Sequence, residues 1–177
     1  MGRSSLAIAA ALLTVTLGAC GDDQESVESE TVKLELVKAK FPARQKLAEP
    51  QTMQLTVRNP TERAIETVSA TVSPGDAARA GSGFNTAADN PNASDPSTPI
   101  WIVDEGPTNG VTVDPAVTRL GPVAPGETVT FRWQLMPSRV GSYKVRWLIG
   151  GDLQNKVNVV GQDGDPIEGT FPVRISR

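Results

Sequence analysis

The sequence predicts an all-β, two-sheet antiparallel sandwich, on three observations. No segment of the 177 residues sustains an apolar period of 3.6 long enough for a helix. Several segments instead alternate apolar and polar residues at period 2, the pattern of a sheet with one wet face. Sixteen glycines and fourteen prolines punctuate the chain where turns between short strands would fall. Residues 31–177 have the size of one domain, and about seven to nine short strands in that length favour a sandwich over a barrel.

The first thirty residues stand outside that domain. M-G-R-S-S carries one cation, Arg3, and leads into the apolar run L-A-I-A-A-A-L-L-T-V-T-L. Residues 6–19 fall short of the about 20 apolar residues a bilayer crossing needs, and they end in small residues, so residues 1–19 read as an export signal. The single cysteine follows at once, in L-G-A-C, and the chain holds no histidine. An intramolecular disulfide is therefore excluded, as are Ser-His and Cys-His nucleophiles and imidazole-dependent copper or zinc sites. L-G-A-C resembles the lipobox of bacterial lipoproteins, which implies cleavage before Cys20 and transfer of diacylglycerol to its sulfur. Two or more acyl chains, at about 0.8 kcal/mol per buried CH₂, give lasting attachment where one gives marginal binding. The expectation is a protein lipid-anchored on the extracytoplasmic face of the cell membrane through Cys20.

After Cys20, G-D-D-Q-E-S-V-E-S-E carries five acids, no cation and one branched apolar residue. Such a segment buries too little to offset the entropy of ordering, so residues 20–30 are expected to act as a tether with a reach of about 33 Å. Loss of Arg3 with residues 1–19 would take the formal net charge from −3 to −4. That mild acidity argues against binding a nucleic-acid backbone.

Within the domain, Q-T-M-Q-L-T-V-R-N directs Met53, Leu55 and Val57 one way. E-T-V-T-F-R-W-Q-L-M does the same with Val129, Phe131, Trp133 and Leu135, and S-Y-K-V-R-W-L-I-G with Tyr143, Val145, Trp147 and Ile149. E-G-T-F-P-V-R-I-S alternates through Phe171, Val173 and Ile175, but Pro172 cannot donate to a ladder, which places that strand at an edge or starts it beyond the proline. Residues 31–37, 64–73, 100–103, 117–120 and 153–160 are further strand candidates. Asn59-Pro60-Thr61-Glu62 suits a type I turn, and positive φ is expected in Gly150-Gly151-Asp152, Ala124-Pro125-Gly126-Glu127 and residues 161–164.

L-T-V-R-N-P-T-E-R-A-I-E-T-V, L-G-P-V-A-P-G-E-T-V-T-F-R-W and V-G-S-Y-K-V-R-W-L-I-G-G-D together resemble the bacterial CARDB-type, or cell-adhesion-related, modules over about residues 32–160. The resemblance implies an immunoglobulin-like sandwich and brings no catalytic motif with it. W-I-V-D-E-G-P and G-D-L-Q-N-K-V are similar to a group of actinobacterial secreted proteins. The chain departs from the simple module at residues 74–99, where Phe84 is the only large apolar residue. Insertions above about 12–15 residues are functional loops or disordered segments. Disorder is expected for most of this one, with Phe84 docking onto the body or onto a partner.

Candidate chemistry is sparse. Asp104 and Glu105 are adjacent, and on an extended chain they would project to opposite faces. Trp101 is a candidate stacking platform for sugar, although the run Ile100-Trp101-Ile102-Val103 favours burial. Asp163, Asp165 and Glu168 are oxygen ligands of the kind Ca²⁺ prefers, but the EF-hand spacing is absent and Asp-Gly is a routine turn. Met53 alternates with core residues, so it and Met136 do not suggest a soft-metal site. Asn92-Ala93-Ser94 fits a glycosylation sequon.

No cofactor is expected. The reading is a non-catalytic structural, adhesion or binding module whose partner is another surface protein or a polysaccharide. Its candidate surface is the loop end bearing Phe84, Trp101, Asp104 and Glu105. The alternative is a carbohydrate-binding accessory or a carboxylate-dependent surface enzyme.

Overall fold

Alternating strands with one apolar face must find a second such face to cover it, and here they form two sheets. The computed structural model describes residues 30–74, 84–86, 99–107, 110–114, 117–152 and 157–177. The expected signal, Cys20 and nearly all of the tether lie outside the described residues, as do 75–83, 87–98 with the Asn92 sequon, and 153–156.

Among the described residues the chain forms thirteen strands and no helix. They are β1 (Glu30–Lys33), β2 (Glu35–Lys40), β3 (Arg44–Lys46), β4 (Gln51–Arg58), β5 (Val68–Pro74), β6 (Phe84–Thr86) and β7 (Trp101–Glu105), followed by β8 (Gly110–Asp114), β9 (Val117–Leu120), β10 (Thr128–Pro137), β11 (Gly141–Gly150), β12 (Val157–Val160) and β13 (Ile167–Ser176). One sheet has the order β2-β4-β10-β7-β6 and the other β3-β13-β11-β5-β9-β8, while β1 and β12 form a separate two-stranded ribbon. The result is an immunoglobulin-like sandwich. Its strand number exceeds the expected seven to nine because β3 and β6, of three residues each, are too short to leave a periodic signal, and β8 lies outside the segments read as strands. The segment 31–37 also splits into two strands at Leu34, which is fully buried and donates its N–H to Val160 O at 2.9 Å. Three pairings, β1–β12, β3–β13 and β6–β7, are parallel within an otherwise antiparallel framework.

Register carries the sequence pattern into the core. Across β4 and β10, Met53 faces Trp133, Leu55 faces Phe131 and Val57 faces Val129. On the other sheet Trp147 faces Val72 of β5, and Val145 faces Phe171 of β13. These side chains join one hydrophobic cluster, against which Val129, Tyr143 and Phe171 pack while partly buried. At about 1.5–3 kcal/mol per fully buried apolar side chain, this shared interior is the main favourable term holding the sheets together.

Three local expectations change. β13 runs through Pro172 and pairs on both sides, with β11 throughout and with β3 from Arg174 onward. Arg174 donates its N–H to Ala43 O at 2.8 Å. Pro172, two residues earlier, therefore presents its missing donor to the same side, where β3 has ended, and the ladder with β11 is untouched. Gly150 and Gly151 are not in the positive-φ region, unlike Gly126 (φ 74°) and Gly164 (φ 91°). Gly151 is glycine because its Cβ would strike the backbone oxygen of Val157. The bend at Asn59 is closed by its side chain, whose Oδ1 accepts from Thr61 N–H at 3.0 Å.

Asn59 is fully buried at the end of β4, and its amide Nδ2 donates to Arg63 O at 2.8 Å and to Val123 O at 2.9 Å. Its backbone exchanges bonds with the Pro-Gly turn, donating to Glu127 O at 2.9 Å and accepting from Gly126 N–H at 2.8 Å. One residue thus joins the exit of β4 to the entry of β10.

Candidate binding surface

The residues proposed for recognition divide between core and surface. Trp101, at the start of β7, has no exposed surface. Its ring lies at 5.3 Å and 15° from Phe84, at 5.7 Å and 56° from Phe41, and at 5.6 Å and 67° from Tyr143. Its indole N–H donates to Oε1 of Gln45 at 2.9 Å, and Gln45, itself buried, donates through Nε2 to Pro42 O at 2.9 Å. Every polar need of the ring is met inside the protein.

Phe84 docks onto the body. It opens β6, which runs parallel to β7 with Phe84 opposite Trp101, so irregular structure does not extend through the whole of residues 74–99. The candidate roles of Phe84 and Trp101 as ligand contacts therefore give way to packing. The same holds for every aromatic residue of the chain: all are buried or packed against the core. Tyr143 and Phe171 alone among them keep part of their surface exposed.

Asp104 and Glu105 are both exposed. Opposite them, Gln134 pairs with Glu105 and Leu135 with Val103, so β7 carries one extra residue at Asp104. This bulge interrupts the strict alternation on which their projection to opposite faces depended. Asp163, Asp165 and Glu168 are also exposed. Asp163 Oδ1 accepts from Asp165 N–H at 3.2 Å, while Gly161 N–H donates to Asp165 O at 2.7 Å, so the carboxylate braces its own turn. Among the described residues no three His, Cys, Asp or Glu side chains are grouped to hold a metal ion.

One surface feature was not predicted. Beside Pro172, where β3 has ended, an open hollow of about 520 Å³ is lined by Arg44, Ser142, Lys144, Arg174 and the partly buried Tyr143. Arg44 and Arg174 are register partners on adjacent strands, and Ser142 is the partner of Arg174 on β11. Three cations and no acid border the hollow. The signal was present in parity: within S-Y-K-V-R-W and P-V-R-I the outward positions 144, 146 and 174 are all basic.

No protein-family model matches the sequence, and no curated protein does. Solved structures do resemble the fold. The chain is similar to the CARDB domain of the PF1109 protein from Pyrococcus furiosus, at 14% identity and a TM-score of 0.43, over 81% of this chain and 91% of that one. A solution structure of the same domain gives 14% identity and a TM-score of 0.45 over 82% and 96%. A cohesin module from a Clostridium perfringens family 33 glycoside hydrolase gives 12% identity and 0.44 over 82% and 98%.

Proposed function

We propose that the chain is an extracytoplasmic lipoprotein, anchored through Cys20 and tethered by its acidic arm, whose sandwich serves as a non-catalytic binding or structural module. The observation that carries the module reading is the placement of the chemistry-bearing side chains. Tryptophans, phenylalanines and the tyrosine pack into or against the core, and the candidate carboxylates sit exposed on a bulged strand and a turn. The anchoring part rests on L-G-A-C and the five acids that follow it. The partner in this reading is another surface protein or an anionic or neutral surface polymer, with no nucleic acid involved.

A protease experiment tests the topology. A Glu-specific protease applied to cells stripped of their wall is expected to cut after Glu25 or Glu28 and release a soluble domain beginning near Ser29, because those glutamates precede β1, where Glu30 is already paired. Appearance of the fragment only after cell lysis would place the domain inside the cell and contradict the reading.

A further inference from the structure

Both outer faces of the sandwich carry cations, in different settings. On the five-stranded sheet Lys38, Lys40, Arg58 and Arg132 are exposed among outward polar side chains: Arg58 pairs with Glu35 at 3.5 Å, Thr52 donates to Gln134 at 2.8 Å, Gln54 to Thr56 at 3.2 Å, and Thr56 shares a bond with Thr130 at 3.0 Å. The outward positions of β3, β13 and β11 instead carry Arg44, Arg174, Lys144 and Arg146, all exposed. No ion pair joins any of these four to an acid among the described residues. Adjacent strands lie about 4.8 Å apart and alternate residues about 7 Å apart along a strand, so the four charges fall within roughly 10 by 14 Å. That is about one Debye length, and their potentials add. Arg44 and Arg174 sit side by side in register, an arrangement that weakens a sheet and gains nothing in the isolated domain. The protein as a whole is acidic, so this patch is a local departure from its charge.

We infer that this face is a docking surface for the anionic phospholipid headgroups of the membrane that holds the anchor. The inference rests on the lipoprotein reading. Arg44, Arg174 and Lys144 around the hollow suit phosphodiester oxygens, the guanidinium groups as paired donors and the ammonium as a point charge. Leu148 continues the same face of β11 two residues beyond Arg146 and is 41% exposed. Its cross-strand partner Glu168 is exposed on the same face, so one apolar and one acidic side chain bound the cluster at that end; an exposed apolar side chain at the margin of a basic cluster suits a membrane surface. The arm supplies proximity: its reach of about 33 Å keeps the face at high effective concentration over the headgroups. Docking would lay the sandwich flat, with the outer face of the five-stranded sheet turned outward.

The test uses the mature protein purified with its anchor and inserted into vesicles of phosphatidylcholine, or of phosphatidylcholine with an equal part of phosphatidylglycerol. Thr170→Cys, opposite Arg146 in the ladder, carries an environment-sensitive fluorophore. Its emission is expected to shift to the blue on the anionic vesicles and to return in concentrated salt. The variant R44Q/K144Q/R146Q/R174Q should give the neutral-vesicle spectrum on both. Each basic residue near an anionic surface is worth about a fivefold factor, so the expected loss of docking is on the order of several hundredfold. The unfolding midpoint of this variant should be unchanged or raised, because the Arg44–Arg174 contact is relieved. Identical wild-type spectra on the two vesicles would overturn the inference. So would displacement by a soluble anionic polysaccharide on neutral vesicles without any lipid response, which would assign the face to a glycan. Failure of the anchor reads separately, as protein that washes off neutral vesicles in concentrated salt. Sedimentation of that unanchored chain with anionic but not neutral vesicles would still support the face, and its absence would overturn it.

Discussion

Replacing Asn59 with alanine is expected to destabilise the domain by about 1–3 kcal/mol. The side chain makes four hydrogen bonds while fully buried: two donated to Arg63 O and Val123 O, and two accepted from Thr61, at 3.0 Å from its N–H and 2.7 Å from its hydroxyl. Truncation takes one donor from each carbonyl, leaving Val123 O with the Ile65 N–H and Arg63 O with the Thr61 hydroxyl, and it strips the half-buried Thr61 N–H of its acceptor, at about 1–3 kcal/mol for a group that stays unpaired. The damage is not local. Val123 forms the bridge with Ile65, exchanging bonds at 2.8 and 3.0 Å, and Ile65 leads into β5, so the loss loosens the route between the sheets. A urea titration should show a lower midpoint with an unchanged slope. Asn59→Asp keeps the acceptor and loses both donors, and it brings a buried charge, so it is expected to rescue nothing. A midpoint within the range of ordinary surface substitutions would mean that the loop finds other partners for these carbonyls.

Truncating Trp101 to alanine should cost more, about 3–5 kcal/mol, the range for large aromatic residues in well-packed cores. Its neighbours explain why collapse would not fill the space. Phe84 reaches it from a three-residue strand, Tyr143 and Phe41 meet it at 67° and 56°, and Phe41 also meets Phe171 at 6.0 Å. Loss of the indole removes a shared wall of that cluster and strands Gln45 Oε1. Gln45→Ala alone should cost about 1–3 kcal/mol by leaving the indole N–H unpaired. Combining it with Trp101→Phe, which removes that donor and keeps most of the ring, should cost less than the two single changes together. Thermal unfolding of the four proteins in that cycle is the check, and strict additivity would show that the Gln45–Trp101 bond at 2.9 Å contributes nothing.

The long strands were legible because each has one wet face. β4, β10 and β11 alternate over eight to ten residues, and a one-residue slip would expose Met53, Phe131 or Trp147. Burial of Trp101 was legible for a different reason, the apolar run around it. What the sequence hid depends on partners distant in the chain. Gly169 is glycine because the Trp147 ring lies over it across the ladder, and nothing in E-G-T announces that ring. The parallel strands β3 and β6 have three residues each, too few for a period, and exist only because β13 and β7 offer an edge. The basic face stayed hidden because its four cations come from three separate segments of a chain with net negative charge, and only register brings them together. Asp104 and Glu105 were seen, but the bulge that sets their orientation comes from the mismatch with Gln134 and Leu135, which no local pattern contains.

Everything said about location turns on the sulfur of Cys20. Cells expressing the full chain should be fed a labelled fatty acid, and the protein should then be captured and washed under denaturing conditions. Covalent label on the native chain, absent from Cys20→Ser and accompanied by loss of that variant from the membrane fraction, is the predicted result. An unlabelled native protein, or a serine variant that stays in the membrane as the native chain does, would contradict the account.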